Sequence, residues 1–220
     1  MQIVIAGILT LAELAAIRAR LAGDDAGFSS GKSSAGWQAQ AVKDNEQARN
    51  KAADAICAKT EAALRATPVF MSAARPKQFV KMLVARYRPG MAYGQHVDDP
   101  LMAGLRTDLS FTLFLNEPVD YDGGDLVISG SSGASTFKLP AGHLIVYPST
   151  TLHEVEPVTR GERLVVAGWL RSYIRDHAQR ELLFDLDNVI ASLRAAEPER
   201  AVMDHLLKVR ANLIRMWADD

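Results

Sequence analysis

The sequence predicts an α+β protein in which a β-rich middle region is flanked by helices on both sides. Between Phe79 and Trp169, short runs of β-branched and aromatic residues alternate with Gly, Pro, Asn and Asp, a pattern typical of strands and turns. On either side of this region, apolar residues recur every three or four positions, as on one face of a helix. Several short strands separated by turns favour a sandwich, a barrel or a jelly roll.

The chain begins with an apolar segment that predicts a strand followed by a helix over residues 11–22. Thr10 and Glu13 have the spacing of a capping box, and the apolar residues that follow fall on one helical face. A secretory signal peptide is not expected, because the segment lacks a basic start and is interrupted by charged residues. We therefore expect a cytoplasmic protein.

Two further segments complete the N-terminal part. Residues 22–36 are rich in Gly and Ser and predict a surface loop. Residues 39–66 consist largely of Ala, Gln, Lys, Arg and Glu, which are good helix formers, and Pro68 follows them. We expect one long helix over residues 39–66 that ends before the proline.

The β-rich middle contains six runs with strand character, each bounded by turn residues. Short stretches near the histidines are expected to add more strands, and residues 129–135 predict the tip of a hairpin. Gly123 and Gly124 predict a tight turn with close approach of the backbone. The six runs are residues 79–87, 109–115, 124–128, 136–139, 142–147 and 163–169.

The C-terminal part predicts two amphipathic helices separated by Pro198. Their apolar stripes are expected to pack on the β region or between subunits, and a homodimer is our expectation. We divide the chain into an N-terminal helical segment packed on the core (1–77), a jelly-roll domain (78–172) and a C-terminal helical extension (173–220).

Composition excludes several classes of function. The 25 basic and 26 acidic residues nearly cancel, so the chain has no overall charge that would draw it to nucleic acid or to an anionic membrane. No run of about 18 uncharged apolar residues is present, so no membrane-spanning helix is expected. A single cysteine rules out an internal disulfide.

His96 and Asp98 are the first candidates for a metal site. In an extended segment, side chains two residues apart project to the same side, so this imidazole and carboxylate would converge. Two histidines and one carboxylate form a facial triad that leaves three positions of Fe(II) open for other ligands. His143 and His153, both in the β region, remain candidates for the third ligand.

Arg163 begins an apolar strand ten residues after His153. A dicarboxylate bound to a metal through one end presents its second carboxylate deeper in a barrel, where a guanidinium can bind it through two hydrogen bonds. Burying an arginine without an anion is unfavourable. Arg163 therefore either stays exposed at the end of the strand or has an anionic partner.

Three motifs together carry a resemblance to a known family. They are R-Y-R-P-G-M-x-Y-G-x-H-x-D, then D-G-G-D-L, then Y-P-S-x-x-x-H-x-V-x-P-V-x-x-G-x-R, within residues 78–172. This pattern resembles the prolyl 4-hydroxylase type of Fe(II)/2-oxoglutarate oxygenase. The upstream segment W-Q-A-Q-A-V-K-D-N-E-Q and the helical tail resemble the bacterial PKHD-type hydroxylases, which are often linked with iron-uptake proteins.

The resemblance implies a double-stranded β-helix, or jelly roll, with His96, Asp98 and His153 as ligands of Fe(II). It implies that Arg163 anchors the far carboxylate of 2-oxoglutarate and that Tyr87 faces the same pocket. The implied enzyme is a 2-oxoglutarate-dependent dioxygenase that uses O2, hydroxylates its substrate and releases succinate and CO2. L-ascorbate would keep the iron reduced.

Some alternatives remain. His143 stands where this family usually has an acidic residue, but His153 keeps the spacing to Arg163 and is preferred as the third ligand. A non-catalytic jelly-roll protein that binds or senses iron is the main rival, whereas cupin-type metal sites usually contain more histidines. The substrate, a small molecule or a peptidyl residue, is not identified, and residues 22–36 and 99–107 are candidates for a lid or a substrate rim.

Overall fold

The computed structural model describes residues 1–22, 27–34, 36–131, 133–196 and 199–219, and only the backbone of Gln38. The helices are α1 (Leu11–Leu21), α2 (Trp37–Gln40), α3 (Lys51–Arg65), α4 (Pro68–Ala74), α5 (His177–Ala195) and α6 (Arg200–Trp217). The strands are β1 (Ile3–Ile5), β2 (Phe28–Ser30), β3 (Lys43–Asp44), β4 (Glu46–Ala48), β5 (Pro76–Tyr87), β6 (Ala92–His96), β7 (Leu101–Met102), β8 (Leu105–Arg106), β9 (Leu109–Phe114), β10 (Tyr121–Gly123), β11 (Leu126–Gly130), β12 (Gly133–Phe137), β13 (Leu144–Pro148), β14 (His153–Val155), β15 (Val158–Gly161) and β16 (Arg163–Ser172).

Two antiparallel sheets face each other and form the β region. The larger sheet has seven strands in the order β1-β13-β9-β16-β5-β4-β2, and the smaller has five in the order β12-β11-β14-β6-β3. Buried residues from both sheets, among them Phe114, Ile128 and Val155, form one apolar cluster, so the inner faces pack on each other. This arrangement agrees with the predicted α+β class.

Helices α1, α3 and α4 cover the outer face of the larger sheet. Leu14, Ile56 and Phe70 from these helices form a second apolar cluster with Phe111 and Leu113 of β9. Since side chains alternate along a strand, the residues between them, such as Ser110 and Thr112, face the interior between the sheets. The side chains of β9 therefore alternate between the apolar core under the helices and the more polar interior between the two sheets.

The start of α1 follows the predicted capping box. The Thr10 hydroxyl accepts a hydrogen bond from the Glu13 backbone N–H at 3.3 Å, and the Glu13 carboxylate accepts one from the Thr10 backbone N–H at 2.9 Å. These bonds satisfy N–H groups that the first turn of a helix leaves without partners. The predicted helix over residues 11–22 is confirmed to within one residue.

All six predicted strands are present, with ends that differ by up to three residues. The additional strands expected near the histidines are β6 and β14. The predicted hairpin tip joins β11 to β12, although Ser132 within it lies outside the described residues. Gly123 and Gly124 both have positive φ, +67° and +66°, as the predicted tight turn requires.

The prediction of one helix over residues 39–66 is wrong. The chain leaves α2 after Gln40, forms β3 and β4, and enters α3 only after Asn50, whose side chain accepts a hydrogen bond from the Ala53 N–H at 2.9 Å. The strands form because they pair with β6 and β5, so tertiary contacts override the helix propensity of these residues. Pro68 occupies the first turn of α4, where a proline is well tolerated.

The ends of the chain are tied to the β region. Strands β1 to β4 belong to the two sheets, so residues before 77 contribute strands as well as helices; the division into three domains stays a prediction. Near the C-terminus, Ile174 pairs with Ala218. The two predicted C-terminal helices are present as α5 and α6, and Pro198 lies outside the described residues.

None of the described helices is long and apolar enough to cross a bilayer.

Candidate active site

The pairing of β6 with β14 brings two distant histidines side by side. His96 ends β6, His153 begins β14, and the two residues are partners in the strand register. Asp98 lies two residues beyond His96, and one potential ligand atom from each of the three side chains lies within 4.8 Å of the others. All three are buried, with exposures of 8%, 8% and 5% for His96, Asp98 and His153.

Backbone hydrogen bonds orient both imidazoles. The Nδ1 atom of His96 lies 2.8 Å from the Gly94 carbonyl oxygen, and Nδ1 of His153 lies 3.0 Å from that of Thr151. A carbonyl oxygen can only accept a hydrogen bond, so Nδ1 carries the proton in each ring. The Nε2 lone pair is then available to bind a metal. Both Nε2 atoms point to the Asp98 carboxylate, at 3.9 and 3.7 Å.

Neighbouring side chains fix the carboxylate and the rings. The Ser110 hydroxyl donates to Oδ2 of Asp98 at 2.5 Å and also contacts the Ser149 hydroxyl at 2.8 Å. The Tyr93 ring stacks on His96 with 3.6 Å between ring centroids. Burial and the adjacent His153 ring lower the pKa of His96 to about 4, so this imidazole is neutral at pH 7, the form that binds a metal.

His143, the alternative third ligand, lies outside this cluster. It immediately precedes β13, whose Leu144 pairs with Leu113, whereas Tyr147 at the other end of the strand pairs with Ser110. Its ring is half-buried and Nδ1 lies 3.4 Å from the Ala141 carbonyl oxygen. The structure therefore groups His153, and not His143, with His96 and Asp98.

Arg163 is a buried cation that has no carboxylate partner in the described part of the chain. It is 1% exposed, and within the described residues its Nε and Nη2 atoms have no hydrogen-bond partner and no carboxylate lies within 4 Å. Its guanidinium carbon lies 5.1 Å from the Tyr87 ring centroid and 5.3 Å from that of Phe114. Because an unpaired buried charge is strongly unfavourable, the site is suited to an anionic ligand.

The backbone at Gly124 makes room for this arginine. A Cβ atom on Gly124 would lie 2.8 Å from Cγ2 of Val158 and 3.1 Å from Cδ of Arg163. Its φ of +66° also lies in the region that favours glycine. The sequence motif D-G-G-D-L thus has a structural reason: its second glycine lets the main chain pass close to the arginine.

Tyr87 lies opposite Arg163 in the register of β5 and β16 and is 4% exposed. Its hydroxyl accepts a hydrogen bond from Nδ2 of Asn45 at 2.9 Å, which leaves the hydroxyl proton available to another acceptor. Burial raises the pKa of Tyr87, so the phenol stays protonated. The side chain can therefore donate to an anion held by Arg163.

One cavity connects these groups, because Tyr87, Arg163 and the three candidate metal ligands all line it. Two imidazoles and a carboxylate are a donor set suited to Fe(II). The Nε and Nη2 atoms of Arg163, which have no partner among the described residues, suit the free carboxylate of a bound dicarboxylate. The residues present thus fit both Fe(II) and 2-oxoglutarate.

Sequence reasoning missed several residues of the site. Lys43, Asn45 and Gln47 line the cavity but lie in the segment predicted to be helical. Residues 43–47 are polar throughout, so they lack the alternation of apolar and polar residues that would have predicted a strand. Ser110 could not be found from the sequence either, because its bond to Asp98 depends on how β9 lies against the loop after β6.

Comparisons with known proteins agree with this geometry. The family model described as the 2OG-Fe(II) oxygenase superfamily matches residues 82–171, and that of the PKHD-type hydroxylase C-terminal domain matches residues 177–219. A PKHD-type hydroxylase of Maricaulis maris is 51% identical over 195 residues, which cover 88% of this chain and 89% of the relative. The chain belongs to the PKHD-type hydroxylase family. A member from Parvibaculum lavamentivorans is 47% identical over the full length of both chains.

Solved structures show the same fold. A Pseudomonas putida prolyl-4-hydroxylase has 25% identity and a TM-score of 0.55, covering 78% of this chain and 92% of its own. A Trichoplax adhaerens prolyl hydroxylase, solved with a fragment of the hypoxia inducible factor oxygen degradation domain, has 16% identity and a TM-score of 0.61, covering 77% and 83%. As a PKHD-type hydroxylase, the protein is a 2-oxoglutarate-dependent hydroxylase with a jelly-roll core, and its family implies Fe(II) as the metal.

Proposed function

We propose that His96, Asp98 and His153 hold Fe(II), and that Arg163 and Tyr87 bind the far carboxylate of 2-oxoglutarate. The observation that carries this proposal is the fully buried guanidinium of Arg163, whose Nε and Nη2 atoms have no partner among the described residues, in the cavity that the candidate metal ligands also line. A dicarboxylate bound to the metal through one end would supply the anion that Arg163 lacks. The oriented Nε2 atoms would supply the metal ligands.

Fe(II) and 2-oxoglutarate, when bound, supply the oxidative chemistry in which O2 is consumed, succinate and CO2 are released and a C–H bond of the substrate is hydroxylated. The protein contributes orientation and exclusion of water. Ser110 fixes the Asp98 carboxylate, and the backbone carbonyls of Gly94 and Thr151 fix the two imidazoles. The substrate, a small molecule or a peptidyl residue, would enter next to the metal. L-ascorbate is the proposed reductant, and a homodimer remains a prediction.

The rival function is that of a non-catalytic protein that binds or senses iron. Such a protein needs the three metal ligands but has no use for a buried arginine that faces the same cavity without a counter-ion. Keeping that charge buried destabilises the ligand-free fold. Arg163 therefore favours the oxygenase over the sensor.

Succinate formation tests the proposed function. Purified protein is incubated with Fe(II), L-ascorbate, O2 and 2-oxoglutarate without added substrate, and succinate is measured by mass spectrometry. We expect slow formation by wild type and by His143→Ala, and none by His153→Ala or Arg163→Met. If wild type binds iron but forms no succinate, or if His153→Ala forms as much as wild type, the proposal is wrong.

A further inference from the structure

A short row of buried polar side chains closes one side of the cavity. Strand β3 pairs with β6 of the smaller sheet, and β4 pairs with β5 of the larger sheet, so this segment crosses from one sheet to the other. Lys43, Asn45 and Gln47 alternate along it, line the cavity and are 5%, 3% and 3% exposed. Three buried polar residues on one wall suggest a binding surface.

Lys43 has only a neutral partner in this wall. Its Nζ atom donates to the Ser34 hydroxyl at 3.0 Å, and that oxygen also accepts from Gln47 at 2.7 Å and donates to the Gly31 carbonyl at 2.7 Å. The hydroxyl has then used its donor and both acceptor positions. Among the described residues no carboxylate lies within 4 Å of Nζ, so this buried ammonium has no counter-ion there.

The charged groups of the cavity have a net positive charge that one further anion would neutralise. The charged side chains that line it are Lys43, Arg163 and Asp98. Fe(II) and the 2-oxoglutarate dianion carry opposite charges of equal size, so their binding does not change the sum. One positive charge remains uncompensated, and buried charges are favourable only when they are paired.

Lys43 and Arg163 lie beside different groups of the cavity. Nζ lies 4.8 Å from the centroid of the Tyr93 ring, which in turn stacks on His96. Lys43 is thus connected to the metal end of the cavity, while Arg163 packs beside Tyr87 and Phe114. The neighbouring Val42 lines an outer cleft that also reaches His96 and Asp98.

Burial lowers the pKa of Lys43 to about 8, with a further lowering by Lys81 and opposing effects of Asp98 and Asp99. The side chain is therefore still mainly protonated at pH 7. Protonation in a buried site is unfavourable without an anion, which agrees with a position that a ligand completes.

We propose that Lys43 binds an anionic group of the hydroxylated substrate, and specifically a carboxylate held beside the metal. This inference rests on the proposed function. It makes Lys43 a residue that determines specificity, and it defines the substrate class as molecules or residues that carry a carboxylate near the C–H bond to be hydroxylated. Both carboxylates of 2-oxoglutarate already have partners, at the metal and at Arg163, so the remaining cation is left for the substrate.

Acetate serves as the probe for this site, and acetamide is its neutral control. The protein is loaded with Mn(II), which is paramagnetic and prevents turnover, and with saturating 2-oxoglutarate. Relaxation of the acetate methyl protons by Mn(II) is followed by NMR during a titration. The variants are Lys43→Met and Lys43→Gln, with Lys208→Met as the control that removes an exposed lysine of α6.

We expect acetate to be relaxed in wild type and in Lys208→Met, and acetamide to show no relaxation. The acetate affinity should fall by about tenfold or more in both Lys43 variants, as expected for loss of a hydrogen bond to a charged group. Lys43→Gln keeps a donor for Ser34, so it preserves the test if Lys43→Met does not fold. In the Fe(II)-loaded protein, 2-oxoglutarate affinity should remain within about threefold of wild type in both variants. The reason is that the metal and Arg163, and not Lys43, are proposed to bind the co-substrate.

Three results would overturn the inference. Acetate relaxation that is equal in wild type and the Lys43 variants would place the anion on the metal itself, and no relaxation in wild type would show that Lys43 binds no carboxylate. A loss of 2-oxoglutarate affinity in the Lys43 variants equal to that in Arg163→Met would assign Lys43 to the co-substrate. If wild type binds no 2-oxoglutarate at all, the proposed function fails instead, and the two failures remain distinct.

Discussion

The two ends of the cavity are built in different ways. At the metal end, two backbone carbonyls hold Nδ1 of His96 and of His153, and the Ser110 hydroxyl holds Oδ2 of Asp98. At the other end, Arg163 is equally buried, but its Nε and Nη2 atoms have no partner among the described residues. The metal end is therefore oriented before any ligand binds, whereas the arginine end is completed only by the co-substrate.

This difference predicts that substitutions at the two ends affect different ligands. Changes at the metal end should weaken metal binding first and 2-oxoglutarate binding only as a consequence. Changes at the arginine end should weaken 2-oxoglutarate binding and leave the metal in place.

The largest effect is expected for His153→Ala, which removes one of three proposed metal ligands. Loss of a residue that only orients a ligand costs roughly 10- to 100-fold in metal affinity, so loss of the ligand should cost more than about 100-fold. Fe(II) affinity is measured under argon by isothermal titration calorimetry. His143→Ala is the matched control and should bind like wild type; the reverse ranking of these two variants would refute the assignment of His153.

The next effect is expected for Arg163→Met, which removes the charge but keeps an apolar side chain. Losing charge-assisted hydrogen bonds should lower 2-oxoglutarate affinity by roughly 100-fold or more, with Fe(II) affinity unchanged. Because an unpaired buried charge is also removed, the ligand-free variant should unfold at the same or a higher temperature than wild type. Arg160→Met, in an exposed ion pair with Asp122, is the control for both measurements.

A clear fall in the unfolding temperature of ligand-free Arg163→Met would count against an arginine that lacks an anion in the free protein. Calorimetric unfolding without 2-oxoglutarate distinguishes the cases. A loss of Fe(II) affinity in the same variant would show that the two ends of the cavity are not separable.

A smaller effect is expected for Ser110→Ala, which removes the hydroxyl that donates to Asp98. The carboxylate then loses its orientation but remains a ligand, so Fe(II) affinity should fall by about tenfold. Ser192→Ala, whose hydroxyl donates to the Asn188 carbonyl within α5, is the control. Equal Fe(II) affinity in Ser110→Ala and wild type would mean that Asp98 is fixed by something other than Ser110.

The smallest effect is expected for Tyr87→Phe, which removes one neutral donor beside Arg163. The loss of one such hydrogen bond corresponds to roughly a 2- to 12-fold lower affinity for 2-oxoglutarate. Tyr173→Phe, at an exposed residue between β16 and α5, is the control and should leave the 2-oxoglutarate affinity unchanged. If 2-oxoglutarate affinity in Tyr87→Phe equals that of wild type, the hydroxyl bonds only Asn45 and takes no part in binding.

Much of the β region could be predicted from the sequence because each strand carries its own pattern. Runs such as LSFTLFL alternate between the helical core and the interior, and they are bounded by turn residues. His96 and Asp98 could be identified as a pair because their spacing alone brings them to one side of an extended segment. The choice of His153 over His143 came from its spacing to Arg163 together with the family resemblance.

The wall formed by β3 and β4 could not be predicted with the same tools. Most of its residues are good helix formers, and the strands form because β6 and β5 offer edges for pairing. Local propensity is a weak predictor where such tertiary pairing is available. The burial of Lys43 is equally invisible in the sequence, because it depends on the cavity that both sheets enclose.

The most direct test of the shared site is the visible charge-transfer band of Fe(II) chelated by 2-oxoglutarate, recorded under argon. We predict that the band forms in wild type and is lost or greatly weakened in both His153→Ala and Arg163→Met. If Fe(II) binds to wild type but 2-oxoglutarate produces no band, the metal site and the arginine do not form one active site, and an iron-binding or sensing role becomes the better interpretation.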